Sequence, residues 1–319
     1  MPITIQPRLL RLSVTDRCNF RCRYCLPAEG VTKLPHEALL SIEEMAATVA
    51  WLCRHAGIER IKLTGGEPLV RAGLDELIRL LTAIPGVTEV SMISNGSLLV
   101  QLAHRLKSAG LSRVSISLDT LDRERFRELT RGGSLEKTLA GISAAAEAGL
   151  GPIKLNAVLR RSTWMEDVPT LLDYAANHEY GLRFIELMRT GTERSWCESE
   201  FVAAPEVSRW VGERCQLLAV DAPSHAPARV VRVLWRGAAI EVGWITPRSH
   251  PFCNRCDRIR MDARGRVFRC LMDADNLDLR ALLSKSSDTE ADDALSSYLA
   301  RKTAPEIMDK ADPMILIGG

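Results

Sequence analysis

The sequence has almost no excess charge of either sign: 42 lysines and arginines against 40 aspartates and glutamates leave a net +2 over 319 residues. That balance excludes a protein built mainly to coat nucleic acid or an acidic membrane surface, so any anion site must be local. Long apolar runs are missing too. No stretch approaches the roughly 18 to 20 apolar residues that a membrane span requires, and Met1-Pro2-Ile3-Thr4 lacks the charged and apolar regions of a secretion signal. A cytoplasmic protein is expected, with neither nucleic acid nor membrane among its partners. No internal repeat at solenoid spacing is visible. What is present is 46% hydrophobic and 26% charged residues, the composition of an ordinary globular chain, which excludes disorder over most of its length.

Nine cysteines in such a chain argue against a disulfide framework and for metal or redox use. Six of them form two tight groups, Cys18, Cys22 and Cys25 and then Cys253, Cys256 and Cys270. Cys53, Cys197 and Cys215 stand alone and are expected to be small buried hydrophobes.

Short β-branched or apolar runs alternate with longer amphipathic ones up to about residue 188, the pattern of strands joined by helical crossovers into a parallel sheet. Strands are expected over residues 9–14, 60–64, 89–94, 113–118, 153–159 and 182–186, and helices near 41–55, 74–82, 98–109, 135–148 and 168–177. Ser41 with Glu44 reads as a capping box, and Gly57, Gly110 and Gly149 fall where helices should end. Six strands are fewer than the eight of a closed barrel, so the expected fold is α/β, an incomplete (β/α)6 TIM-like barrel. Its open side would be covered by a C-terminal region holding the second cysteine group, which divides the chain into residues 1–200 and 201–319. In that region a helix near 205–214 and a hairpin of 230–235 and 239–244, turning at Arg236-Gly237, are expected. The polar stretch 284–293 reads as a mobile loop.

Cys18-Asn19-Phe20-Arg21-Cys22-Arg23-Tyr24-Cys25 follows the first strand, where active sites of barrels gather. Three closely spaced thiolates suit a 4Fe–4S cluster and leave its fourth iron open to a substrate or cofactor. A zinc site completed by His36 is the competing reading. Thr64-Gly65-Gly66-Glu67-Pro68 follows the second strand, and side-chain-free glycines allow close backbone approach to a ligand; alone, such a run could be a mere strand-to-helix turn. With the cysteine run, it resembles the radical S-adenosylmethionine superfamily. The resemblance implies that the open iron chelates the methionyl group, with Tyr24 against the adenine, and that one electron from the cluster releases a 5′-deoxyadenosyl radical.

Cys253-Asn254-Arg255-Cys256 with Cys270, fourteen residues on, gives three more thiolates, again lacking a fourth, for which His250 is a zinc-site candidate. Beside them, Asp257-Arg258-Ile259-Arg260 puts two guanidinium groups on one face of a short strand, suited to an anionic or purine ligand. These features and the runs Arg11-Leu12-Ser13-Val14-Thr15-Asp16, Ser117-Leu118-Asp119-Thr120-Leu121-Asp122, Arg183-Phe184-Ile185-Glu186-Leu187-Met188 and Gly318-Gly319 span nearly the whole chain. Together they resemble the GTP 3′,8-cyclase family of molybdenum cofactor biosynthesis. The resemblance implies a lyase with two 4Fe–4S clusters, the first firing the radical and the second binding the guanine of GTP. The radical would remove the ribose 3′ hydrogen, and C3′ would then bond to C8. Tyr24, Gly66, Ser117 and Met188 would contact S-adenosylmethionine; Arg11, Lys62, Ile93, Lys154, Arg183, Arg258, Ile259 and Arg260 would contact GTP. Arg11, Arg258, Arg260, Gly318 and Gly319 would form its catalytic end, the last two as a tail docked by the apolar Met314-Ile315-Leu316-Ile317. Lys62 stands where the family usually has arginine and Ile93 where it commonly has threonine. Implied partners are a low-potential electron donor of flavodoxin or ferredoxin type, a downstream cyclic pyranopterin monophosphate synthase, and a second copy of the chain in a homodimer. Two other readings compete: a two-cluster radical enzyme acting on a peptide or another nucleotide, and a two-cluster electron carrier or iron-sensing nucleic-acid binder. The Arg258/Arg260 pair with Gly318-Gly319 argues against the first, and Gly65-Gly66-Glu67-Pro68 against the second.

Overall fold

The computed structural model describes residues 5–190, 193–220, 225–305 and 309–310. All six expected strands form: β1 (Leu9–Ser13), β2 (Arg60–Thr64), β3 (Glu89–Ser94), β4 (Arg113–Ser117), β5 (Lys154–Leu159) and β6 (Gly181–Glu186). They do so because apolar and polar residues alternate along them, so one face can be buried while the other stays open. Leu10 and Leu12, Ile61 and Leu63, Val114 and Ile116, and Leu182 and Phe184 enter one continuous core. Helices α1 (Ile42–Ala56), α2 (Leu74–Thr82), α3 (Leu99–Ser108), α4 (Arg123–Thr130), α5 (Leu135–Glu147) and α6 (Trp164–Asn177) connect the strands. The capping box at Ser41 and Glu44 starts α1, and the expected glycines follow α1, α3 and α5 with positive φ. The last crossover helix starts four residues before the expected 168, because Trp164 is drawn into the core and packs edge-on against Trp210.

After β6 come β7 (Arg189–Thr190), α7 (Arg194–Ser199), α8 (Ala204–Gly212) and β8 (Gln216–Val220). β9 (Arg229–Trp235) and β10 (Ala238–Ile245) form the expected hairpin; β11 (Arg258–Met261), β12 (Arg266–Phe268), β13 (Leu277–Asp278), α9 (Leu279–Lys285), α10 (Asp288–Ala300) and β14 (Asp309–Lys310) complete the order. β14 pairs with β7 in a separate two-stranded sheet. The other strands make a single sheet in the order β13-β12-β11-β1-β2-β3-β4-β5-β6-β10-β9-β8. The late strands therefore extend the early six at both edges: β11 lies parallel to β1 and β10 parallel to β6. Glu186, at the end of β6, ties the two parts further by accepting from the backbone N–H groups of Ala204, Arg248 and Ser249, each at 2.9 Å.

Two expectations change. The stretch 284–293 is not a loop: it ends α9 and begins α10. Ser287 and Glu290 form a reciprocal capping box, and Ala291, Leu295 and Tyr298, three to four residues apart, bury one stripe of an otherwise polar helix. Of the three isolated cysteines, Cys53 and Cys197 are buried as expected, whereas Cys215 is only half-buried.

Candidate active site

The open face of the sheet lines a cavity of ≈ 640 Å³ reached by all six clustered cysteines. Strand alternation sets what it displays. Leu10, Ile61 and Ile259 point into the core, so their neighbours Arg11, Lys62, Arg258 and Arg260 point into the cavity. Arg11 lies opposite Lys62 on β2 and Arg260 on β11. Across the sheet Lys154 and Arg183 extend the basic wall, with Ile93 between. Arg183 has room because its neighbour across the strands is Gly243, where a Cβ would stand 2.3 Å from the Arg183 Cδ.

Among the described residues several carboxylates meet part of this charge. Arg60 pairs with Asp257 at 2.6 Å, Arg113 with Glu89 at 2.8 Å, and Arg183 with Glu241, which also lies 4.0 Å from the Lys154 Nζ. Burial, with Arg11 and Arg113 nearby, pushes the Lys62 ammonium down to about 7. Burial and Arg258 push Arg260 down to about 10, and burial followed by repulsion from Arg260 and Arg258 lowers Arg11. Such mutual depression marks a site arranged for a polyanion, whose negative charge would raise these values again.

The first cysteine group sits on the loop after β1. Cys25 and Leu26 donate backbone N–H bonds to the Cys22 carbonyl at 2.8 and 2.9 Å, closing a tight turn, while Arg21 and Arg23 donate theirs to Thr130 and Leu129 at the end of α4. Glu193 receives both Arg23 and Arg131, and Arg131 also donates to the Leu26 carbonyl at 2.7 Å, clamping the loop from outside. Inside, the Tyr24 hydroxyl donates to Asp119 at 2.8 Å, and the other oxygen of that buried carboxylate accepts from the Val158 N–H at 2.7 Å. The glycine run meets the same loop: Gly66 donates its N–H to the Thr15 carbonyl at 2.9 Å, and a Cβ on Gly65 would stand 2.9 Å from that oxygen. Glu67 anchors the turn by accepting from the Ser94 hydroxyl and the Asn95 and Leu69 N–H groups at 2.7, 2.8 and 3.2 Å. Burial still pushes its carboxyl up to about 7.

The donor sets fit iron–sulfur clusters. Burial raises the thiols of Cys18, to about 11, and Cys22, so a metal must displace their protons. Burial also acts on Cys256, but Arg258 and Lys302 outweigh it and lower that thiol. His36 and His250 are exposed, and neither lines the cavity, so neither of the two expected zinc ligands stands beside its cysteine group. Among the described residues no three histidine, cysteine or acidic side chains close around a single ion.

Tyr24, Gly66, Ser117 and Met188 line the same cavity as both cysteine groups and the basic residues. Ile259 is the exception: its side chain is fully buried on the core face, since it alternates with the two arginines beside it. Gly318 and Gly319 lie outside the described residues. Sequence reasoning missed Asp119, though it sits inside a quoted run, and Arg113, whose strand alternation was the available signal. It also missed Lys302, which carries no local pattern.

The Radical SAM superfamily profile matches residues 12–175, and the profile described as Molybdenum Cofactor Synthesis C matches residues 180–307. The GTP 3′,8-cyclase of Pelotomaculum thermopropionicum is 43% identical over 282 residues, 88% of this chain and 86% of that protein. GTP 3′,8-cyclase 1 of Pseudomonas aeruginosa is 45% identical over 297 residues, 92% of this chain and 89% of that one. In fold, the chain is similar to Streptococcus suis SuiB bound to S-adenosylmethionine, with a TM-score of 0.62 at 14% identity over 94% of this chain and 69% of that one. The chain belongs to the GTP 3′,8-cyclase family of the radical S-adenosylmethionine superfamily.

Proposed function

We propose that this enzyme converts GTP to 3′,8-cyclo-7,8-dihydroguanosine 5′-triphosphate, the first step of molybdenum cofactor biosynthesis. The observation that carries the reading is a single cavity lined by two sets of three thiols and a basic wall between them. When bound, the first 4Fe–4S cluster would supply the electron that splits S-adenosylmethionine; the 5′-deoxyadenosyl radical would take the ribose 3′ hydrogen, C3′ would bond to C8, and a second electron from the external reductant with a proton would complete the 7,8-dihydro product.

Cys18, Cys22 and Cys25 would hold that cluster, and Cys253, Cys256 and Cys270 a second one facing the guanine. Tyr24, fixed by Asp119, and Gly66, fixed by the Thr15 carbonyl, would frame S-adenosylmethionine with Ser117 and Met188. Arg11, Lys62, Lys154 and Arg183 would neutralise the triphosphate, Ile93 would pack beside it, and Arg258 and Arg260 would orient the base. Apolar wall residues such as Val158, Ile185 and Leu187 exclude water from the carbon radical. Gly318 and Gly319 belong to the proposed site, and their deletion should spare iron content and cofactor binding while nearly abolishing cyclisation.

The parallel strands would curl into the incomplete (β/α)6 barrel, residues 1–200 making the radical-forming part and 201–319 closing its open side. The attachment of β10 and β11 to the two edges of the six-strand run supports this closure. A flavodoxin- or ferredoxin-type reductant, a synthase that consumes the product, and a homodimer complete the proposal. Anaerobic incubation of reconstituted protein with GTP, S-adenosylmethionine and dithionite should yield 5′-deoxyadenosine and consume GTP into an isomeric nucleotide of the same mass that separates from GTP by chromatography. Formation of 5′-deoxyadenosine with GTP left intact would overturn the substrate assignment.

A further inference from the structure

Lys302 is a buried lysine, 3% exposed, with no part in the assignments above. It follows α10 on the outside of the molecule, yet its Nζ reaches the cavity wall beside the second cysteine group. There it donates to the Arg258 carbonyl at 2.6 Å, to the Cys256 carbonyl at 3.0 Å and to the Cys256 Sγ at 3.4 Å. An ammonium has three donors and is costly to bury unless its charge is met. Two neutral carbonyls meet the hydrogen-bonding need but not the charge. Among the described residues no carboxylate lies within ion-pair distance of Lys302, while the Cys256 sulfur, anionic once it ligates a cluster, is within its reach.

We infer that Lys302 is a positioning residue of the second cluster, whose ammonium donates to the Cys256 sulfur, favours the reduced cluster, and holds the backbone that aims Arg258 into the cavity. This rests on the reading that Cys253, Cys256 and Cys270 carry a cluster. Reduction adds negative charge, and both a nearby cation and a hydrogen bond to a ligating sulfur stabilise the reduced form more than the oxidised one. The two carbonyl bonds fix where that charge sits, because they span the chain from Cys256 to Arg258 at the start of β11.

The test uses a Cys22→Ala background, in which only the second cluster should assemble, and compares Lys302, Lys302→Met, Lys302→Gln and Lys302→Arg. Each protein is reconstituted anaerobically, its iron is counted, and its cluster is titrated with mediators and followed by electron paramagnetic resonance without GTP. In the Met and Gln variants the ratio of reduced to oxidised cluster at a fixed potential should fall about tenfold, a shift of about 59 mV downward for a one-electron couple. The Arg variant should stay close to the parent, since it keeps charge and donors. Iron lost from the Met and Gln variants but kept by the Arg variant also supports the inference, because charge then decides assembly. Equal potentials at equal iron content, or loss of iron in all three variants, overturn it. Absence of iron from the background protein itself overturns the second-cluster reading instead, and the inference falls with it.

Discussion

Lys62 shows how one side chain reports on the whole basic wall. Burial and the neighbouring Arg11 and Arg113 push its ammonium down to about 7, so near neutral pH the free protein holds that proton weakly. A bound triphosphate brings negative charge and raises the value in the complex. The complex then binds more protons than the free protein, so GTP affinity must fall as pH rises above about 7, by at most about tenfold per unit. Dissociation constants measured between pH 7.5 and 8.5 should show this slope. In Lys62→Arg the slope should flatten, since a guanidinium stays charged, and the difference separates Lys62 from Lys154, which burial and Arg183 also lower. Lys62→Ala should weaken GTP about ten- to hundredfold, the worth of one charged hydrogen bond, and leave S-adenosylmethionine binding alone; unchanged GTP affinity would place Lys62 outside the site. Gly243 is the complementary case. A methyl group there collides with Arg183, so Gly243→Ala should cost about 1 to 3 kcal/mol in a urea titration and weaken GTP by displacing that guanidinium.

At the scale of elements, legibility followed burial. β1 to β6 were readable because each keeps a two-residue alternation between core and cavity, and that alternation also told which residues share the cavity face. β8 was not readable: all five of its residues are exposed, so no face is selected and no period appears. α4 buries only Phe126, Leu129 and Thr130 among charged residues, too few to stand out. α10 was mistaken for a loop for a related reason, since composition hid a three-residue stripe, although Ser287 and Glu290 carried the capping signal. Lys302 depends on that helix to reach the cavity, so its role could not be read without the fold. Ser287→Ala should therefore cost about 1 kcal/mol of stability, the usual value of a lost N-cap. The change is read as a lower urea midpoint with an unchanged slope, and an unaltered midpoint would show that packing of Ala291, Leu295 and Tyr298 alone holds the helix.

On the scale of the molecule, the two cysteine groups are separated by more than two hundred residues in sequence but line one cavity, because β1 lies between β2 and β11 in the sheet. The order of strands thus places the proposed radical source and the proposed substrate cluster on the same face, with basic residues of β1, β2, β5, β6 and β11 lining the cavity between them. Their chemistry should nevertheless be separable. Removing one thiolate from either group removes that group's cluster, so Cys22→Ala and Cys256→Ala should each lower iron from about eight to about four atoms per chain. The consequences differ. Cys22→Ala loses the iron that holds S-adenosylmethionine and should form no 5′-deoxyadenosine at all. Cys256→Ala keeps that iron, and reductive cleavage should continue, uncoupled from a GTP that no longer sits with its ribose against the radical. Measuring 5′-deoxyadenosine and cyclised nucleotide in the same anaerobic reaction distinguishes the two: the first variant should yield neither, the second only 5′-deoxyadenosine. Cyclisation at a near-parental rate in Cys256→Ala would mean that the arginines of β11 hold GTP unaided and that the second cluster serves some other purpose.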